Sequence, residues 1–223
     1  MKLPRAIHSW ALSPKQAIAL QRKLAARVRM EPLPSAVRFV AGLDAAFTPD
    51  ECVAAVVLWD LDRRDVVEQH VARVPLRFPY IPGLLSFREA PALLAALKKL
   101  RQKPDVLMCD GQGIAHPRRF GIACHVGVLA DLPSVGCAKS LLVGEYREPA
   151  PRRGSAAALT DRDERIGTVL RTRDGVRPVF VSVGHCADLP TMKDLVLRCA
   201  SRYRLPEPTR LADQLCGAVA HPD

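Results

Sequence analysis

The chain has 223 residues, of which 48% are hydrophobic and 25% charged. That size and balance suit one globular domain over residues 1–223 with a full core, and exclude a disordered chain. Thirty-three Lys and Arg against 23 Asp and Glu give a net charge of +10, which favours a polyanionic partner such as nucleic acid.

No apolar run is long enough to span a membrane, and Lys2, Arg5 and His8 interrupt the opening stretch. Neither a membrane partner nor a secretory signal is therefore expected. The cysteines, Cys52, Cys109, Cys124, Cys137, Cys186, Cys199 and Cys216, are odd in number and form no CxxC pair. Adjacent Cys124-His125 and His185-Cys186 lack the spacing that lets two side chains converge on zinc. This pattern reads as free thiols of the reducing cytoplasm and not as a disulfide framework; a monomer is expected.

The first 38 residues carry Lys2, Arg5, Lys15, Arg22, Lys23, Arg27, Arg29 and Arg38 against one acid, Glu31. Within them a helix is predicted over 13–30, capped by Ser13, with Pro14 in its first turn and a stripe of Ile18, Leu20, Leu24, Ala25 and Val28. Three strands follow at 39–47, 52–60 and 65–74, joined closely enough for an antiparallel meander. A helix over 89–100 buries Leu93, Leu94, Leu97 and Leu100. The short apolar strand at 104–110 then fits in parallel beside the first. After the Gly111-Gln112-Gly113 loop come a helix at 119–130 and a strand at 133–138. Residues 147–165, rich in Arg, Pro and Gly, read as an exposed loop. A hairpin pairs 166–172 with 178–183 across Asp174-Gly175, and helices at 189–202 and 208–220 complete the order. The sum is an α/β protein with a central mixed sheet flanked by helices, the order of an RNase H-like fold with an added hairpin.

Two carboxylates stand at the ends of apolar strands: Asp44 after Phe39-Val40-Ala41-Gly42-Leu43, and Asp110 after Val106-Leu107-Met108-Cys109. A carboxylate in such a place is costly unless paired or bound to a metal. If the strands are parallel neighbours, both carboxylates reach the sheet edge where open α/β proteins place their sites. Oxygen ligands gathered there suit Mg²⁺. Glu89, read as opening a helix, can project to the same edge, or can merely complement the helix dipole. Lys139 follows a strand and could contact a phosphate. His116, in a polar loop, could move a proton. In Pro79-Tyr80-Ile81-Pro82-Gly83, prolines stiffen a loop that carries an aromatic side chain, which could enter a base stack as a wedge or simply pack. Gly111, Gly113 and Gly121 permit close backbone approach to a ligand.

At these residues the chain resembles the endonuclease V family, the deoxyinosine 3′ endonucleases. The resemblance is carried by Val40–Asp44, Pro79–Glu89, Asp110–Arg118, Gly121–Ala123, Gly136–Ser140, Val183–His185 and Leu205–Arg210, in order along nearly the whole chain. It implies an RNase H-like fold and recognition of hypoxanthine, the deaminated form of adenine. It also implies hydrolysis of the second phosphodiester on the 3′ side of that base, leaving 3′-hydroxyl and 5′-phosphate ends. Mg²⁺ is the implied cofactor, with Mn²⁺ as its substitute. Asp44, Asp110 and Glu89 match the metal-site acids, and His116 and Lys139 match catalytic or phosphate-contacting positions. Pro79, Tyr80, Ile81 and Pro82 match the strand-separating wedge. Leu85, Gly111, Gly113, Gly121, Ile122 and Leu142 fall where the family builds its base pocket. One departure stands out: Asp213 occupies a place where some members carry His, and becomes a candidate fourth metal ligand. DNA against RNA stays open, as does a non-catalytic nucleic-acid-binding relative.

Overall fold

The computed structural model describes residues 1–5 and 7–222. Helix α1 (Pro14–Ala25) starts with a capping box in which Ser13 and Gln16 satisfy each other's backbone N–H groups. It ends earlier than its apolar stripe predicts. Beyond Ala26 the backbone turns to pair with the segment after the last strand, through Cys186 N–H to Arg29 O at 2.8 Å and Glu31 N–H to Ala187 O at 3.3 Å.

The strands β1 (Phe39–Phe47), β2 (Glu51–Asp60) and β3 (Asp65–Pro75) form the expected antiparallel meander. Helix α2 (Leu85–Lys99) begins four residues before the sequence-based start, so Glu89 does not open it but lies one turn inside. Pro91 within that helix forgoes one backbone hydrogen bond, a local penalty that the buried face of Leu93, Ala96 and Leu97 outweighs. Then come β4 (Val106–Cys109), α3 (Ile122–Ala130) and β5 (Ser134–Ala138). The stretch expected to be loop contains a strand, β6 (Ala156–Asp161). It pairs with β7 (Glu164–Leu170) across a tight turn in which Arg162 and Asp163 both have positive φ. β7 pairs in turn with β8 (Val179–His185), giving the predicted hairpin. Helices α4 (Leu189–Cys199) and α5 (Glu207–Ala220) follow.

All eight strands belong to one sheet in the order β3-β2-β1-β4-β5-β8-β7-β6. β4 lies parallel to both β1 and β5, and the other pairs are antiparallel. This is a mixed α/β sheet of RNase H-like order. One face, carrying Ala41, Leu43, Val56, Leu58 and Leu107, packs on α2 and α3. The other packs Val53, Ala55 and Val57 on α5, and Val106, Met108, Val135 and Val181 on α4. All seven cysteines are buried and free, as the sequence predicts. Among the described residues no helix is long and apolar enough to cross a membrane.

Candidate active site

The parallel register of β1 and β4 brings the two strand-end aspartates together. Gly42 is opposite Met108, Leu43 is opposite Cys109, and Asp110 N–H donates to Leu43 O at 3.0 Å. Asp44 and Asp110 therefore leave adjacent strand ends. β5, parallel on the other side of β4, delivers Lys139 just past its own end. Glu89 arrives from α2 on one face of the sheet.

Asp213 arrives from α5 on the opposite face. That approach depends on Gly42: a Cβ there would lie 2.1 Å from the backbone of Pro208, so only glycine lets the start of α5 lie against β1.

Lys139 Nζ stands 2.5 Å from Asp110 Oδ2 and 3.5 Å from Asp213 Oδ2. The nearby Asp213 side chain adds to what raises Asp44. Burial first, and the Asp110 charge second, push the Asp44 carboxyl well above the ordinary carboxylate range. The same two causes push Glu89 up to about 8. Asp110 is also raised, by burial, although Lys139 pulls against it. Burial acts to lower Lys139, but the Asp110 hydrogen bond and the surrounding acids hold it at about 12. Four carboxyls and one ammonium thus share one sheet edge.

These groups open onto a pocket of about 390 Å³. Asp44, Glu89, Asp110 and Lys139 line one side. Tyr80, Ile81 and Pro82 form the rim, with Tyr80 69% exposed. Leu85, Ile122 and Leu142 supply apolar walls, and Gly111 and Gly121 supply bare backbone. Pro79 is exposed at the start of the rim loop.

Two sequence-predicted positions behave differently from the rest. Gly113 does not line the pocket. Its N–H donates to Ser182 Oγ at 2.8 Å and its carbonyl accepts from Gly121 N–H at 2.9 Å, so it is a packing position against β8. His116 lines the pocket, but both ring nitrogens are engaged by protein. Nε2 donates to Gly83 O at 2.9 Å, and Nδ1 accepts from Arg118 N–H at 3.2 Å. Burial lowers this imidazole to about 4, so near neutral pH it is uncharged, with no free nitrogen for proton transfer.

Residues that the motif reading passed over also belong here. Gln21, Ser86, Gln112 and Ser140 line the pocket, and Gln112 Nε2 ties the loop after β4 to Ser140 O at 2.9 Å. Arg204 donates to the Lys139 carbonyl at 2.5 Å and fixes the backbone from which the ammonium projects. Gln21 had a legible signal: a polar residue between Ala17 and Leu24 on the buried stripe of α1.

Among the described residues, no three His, Cys, Asp or Glu side chains already form a metal cage. The donor set still fits a hard divalent ion. Every candidate ligand is a carboxylate oxygen, burial and then the Asp110 charge raise Asp44 and Glu89 out of the ordinary range, and Lys139 supplies positive charge between Asp110 and Asp213. Mg²⁺ takes only one or two carboxylates and completes its shell with water and phosphate oxygens, so an open set is what it uses.

Comparison with known proteins identifies the family over most of the chain. A family model described as Endonuclease V matches residues 22–214. An endonuclease V from Trichormus variabilis is 52% identical over 211 residues, which cover 93% of this chain and 96% of the relative. The crystal structure of endonuclease V from Streptomyces avermitilis superposes with a TM-score of 0.91 at 45% identity, covering 95% of this chain and 94% of that one. Endonuclease V from Ciona intestinalis, solved in complex with a 24mer DNA containing an inosine followed by a ribo-adenosine, superposes at 0.80 with 25% identity. It covers 92% of this chain and 96% of its own.

Proposed function

The chain belongs to the endonuclease V family of metal-dependent nucleases, and we propose that it nicks DNA at deoxyinosine, the product of adenine deamination. The observation that carries this reading is the meeting of Asp44, Asp110, Glu89, Asp213 and Lys139 at one sheet edge, beside a pocket rimmed by the exposed Tyr80 loop. The inosine in the DNA bound by the Ciona relative supports the substrate. The bond cut is the second phosphodiester 3′ to the lesion, leaving 3′-hydroxyl and 5′-phosphate ends.

In this reading Asp44 and Asp110 hold Mg²⁺, with Glu89 and Asp213 completing the carboxylate set, and Mn²⁺ substitutes. When bound, the ion supplies Lewis-acid stabilisation of charge at the phosphoryl group. The side chains do the rest. Lys139 places a fixed positive charge at the scissile phosphate. The Tyr80 loop enters the base stack and separates the strands. The flipped base enters the pocket between Leu85, Ile122 and Leu142, where backbone at Gly111 and Gly121 approaches its edge. Hypoxanthine presents an O6 acceptor and an N1–H donor, unlike adenine. It lacks guanine's 2-amino group, so a tight pocket excludes guanine by size. The free buried thiols fit a protein working in a reducing cytoplasm.

Purified protein should nick an inosine-containing duplex with Mg²⁺ and stop when EDTA is added. Asp44→Ala and Asp110→Ala should each lower the rate by at least on the order of a hundredfold. Retention of normal nicking in either variant would sink the site assignment. Equal duplexes made in DNA and RNA, run side by side, decide between deoxyinosine and inosine as the substrate.

A further inference from the structure

The rim loop is fastened at both of its stems by side chains that take no part in the carboxylate cluster. At the first stem, Phe78 is buried against Phe87 with ring centroids 5.5 Å apart, and Arg88 Nη1 donates to Phe78 O at 3.2 Å. The same guanidinium lies 4.6 Å over the ring of Phe47, at the end of β1. At the second stem, Ile81 to Leu84 form a turn closed by Leu84 N–H to Ile81 O at 2.9 Å. Pro82 stands second in that turn and Gly83 third with φ +78°, the positions that a type II turn reserves for Pro and Gly.

Three donors from two distant parts of the chain converge on the Gly83 carbonyl. They are Gln21 Nε2 at 3.0 Å, His116 Nε2 at 2.9 Å and Arg118 Nη2 at 2.6 Å. They also brace one another: Arg118 Nε donates to Gln21 Oε1 at 2.6 Å, and Gln21 Nε2 reaches Phe120 O at 3.1 Å. Gln21 is fully buried. An amide in that position is costly unless its donors and acceptor are used, and here protein partners use both. Between the stems only Pro79, Tyr80 and Ile81 project, two of them exposed.

We propose that Gln21, Arg118 and His116 are positioning residues for the Tyr80 loop, locking the Gly83 stem so that the loop resists the push of a base stack. The inference rests on the reading of Tyr80 as a wedge. Unstacking a base step costs a few kcal/mol. A tip held only by loop backbone would recoil, whereas a carbonyl gripped by three donors transfers the load to α1 and to the loop after β4. The clamp assigns α1 a mechanical task beyond its positive charge, and it accounts for the occupied nitrogens of His116.

The test compares nicking of an inosine-containing duplex with nicking of the same strand unpaired, for Gln21→Leu, Arg118→Lys and Tyr80→Ala. Arg118→Lys keeps the charge and removes the guanidinium fork, so it decides alone if Gln21→Leu does not fold. Arg118→Lys, whose side chain does not line the pocket, should lose about tenfold on duplex and no more than about twofold on the single strand, and Gln21→Leu should lose more on duplex than on the single strand. Combined with Tyr80→Ala they should add nothing, because a clamp without a wedge has no load to carry. Equal losses on the two substrates, or a further loss in the Tyr80→Ala background, would overturn the clamp. If Tyr80→Ala itself leaves the duplex-to-single-strand ratio unchanged, the wedge reading fails first and takes the clamp with it.

Discussion

Asp44 shows what the site demands of single residues. It lies beside Asp110, and burial first and the Asp110 charge second raise its carboxyl above the ordinary range. An acid whose folded-state pKa is raised above its unfolded value weakens the fold at any pH between the two, because the unfolded chain releases its proton more readily. Near pH 7, without divalent ions, Asp44→Asn should therefore stabilise the protein while abolishing nicking. A gain of about 1 kcal/mol corresponds to a rise of about 2–4 °C in thermal midpoint for a chain of this size. Thermal melts in EDTA check the sign, and a lower midpoint would show that Asp44 is not repelled in the folded state. Asp60 is the structural counterpart. Arg38 grips it at 2.7 and 3.0 Å, with help from the backbone N–H groups of Asp62 and Arg63, and holds it down at about 2. Hydrophobic pattern alone does not separate these two kinds of strand-end aspartate; the family resemblance at Val40–Asp44 is what singled out Asp44. The apolar run before Asp44 resembles the run before Asp60, and the parallel register of β1 and β4 brings only Asp44 of the two beside Asp110.

Elements differ in how plainly their residues announce them. The strands β1 and β2 were legible because long runs of Val, Ala and Leu end at short polar connections, and β3 because its residues alternate. The β4 strand and its parallel place beside β1 followed from the same logic. The β6 strand was not legible, because Ala156–Asp161 lies in an Arg-, Pro- and Gly-rich stretch and buries only Leu159 fully; its pairing partner, not its own composition, makes it a strand. The start of α2 was missed because the stripe of Leu93, Leu94, Leu97 and Leu100 does not reach back to Leu85, and the end of α1 because an apolar stripe cannot show that the backbone will leave to pair elsewhere. The seating of α5 was equally hidden, since nothing in a lone Gly42 says that Pro208 will press on it. Gly42→Ala puts a methyl within 2.1 Å of the Pro208 backbone, and α5 must move away, taking Asp213 with it. Overpacking of this kind costs roughly 1–3 kcal/mol, so the thermal midpoint should drop by several degrees. Nicking should fall further than that loss of stability explains. Full activity in a folded Gly42→Ala protein would separate Asp213 from the reaction.

At the scale of the whole molecule, acid stability is the difference between two opposed sets of buried groups. His116 and His125 are held low, at about 4 and about 3, chiefly by burial. His125 sits between Ser86 Oγ at 3.0 Å and His8 Nε2 at 2.9 Å. Below the ordinary histidine value of 6.5, unfolding lets each imidazole take up a proton that the folded chain refuses, so stability falls as pH falls. The raised carboxyls act in the opposite sense. In the same window Asp44 and Glu89 keep protons in the folded chain that the unfolded chain releases, so acidification stabilises through them. Without divalent ions the two contributions offset, and the wild-type thermal midpoint should change little from pH 6.5 down to about 5. Asp44→Asn removes one proton from the folded side and leaves the histidines untouched. Its stability should therefore fall more steeply on acidification, by up to about 1.4 kcal/mol per pH unit. Melts of both proteins across that range in EDTA make the comparison. Parallel curves would mean that the Asp44 carboxyl is already ionised in the folded chain, and that Lys139 alone balances the charge of the site.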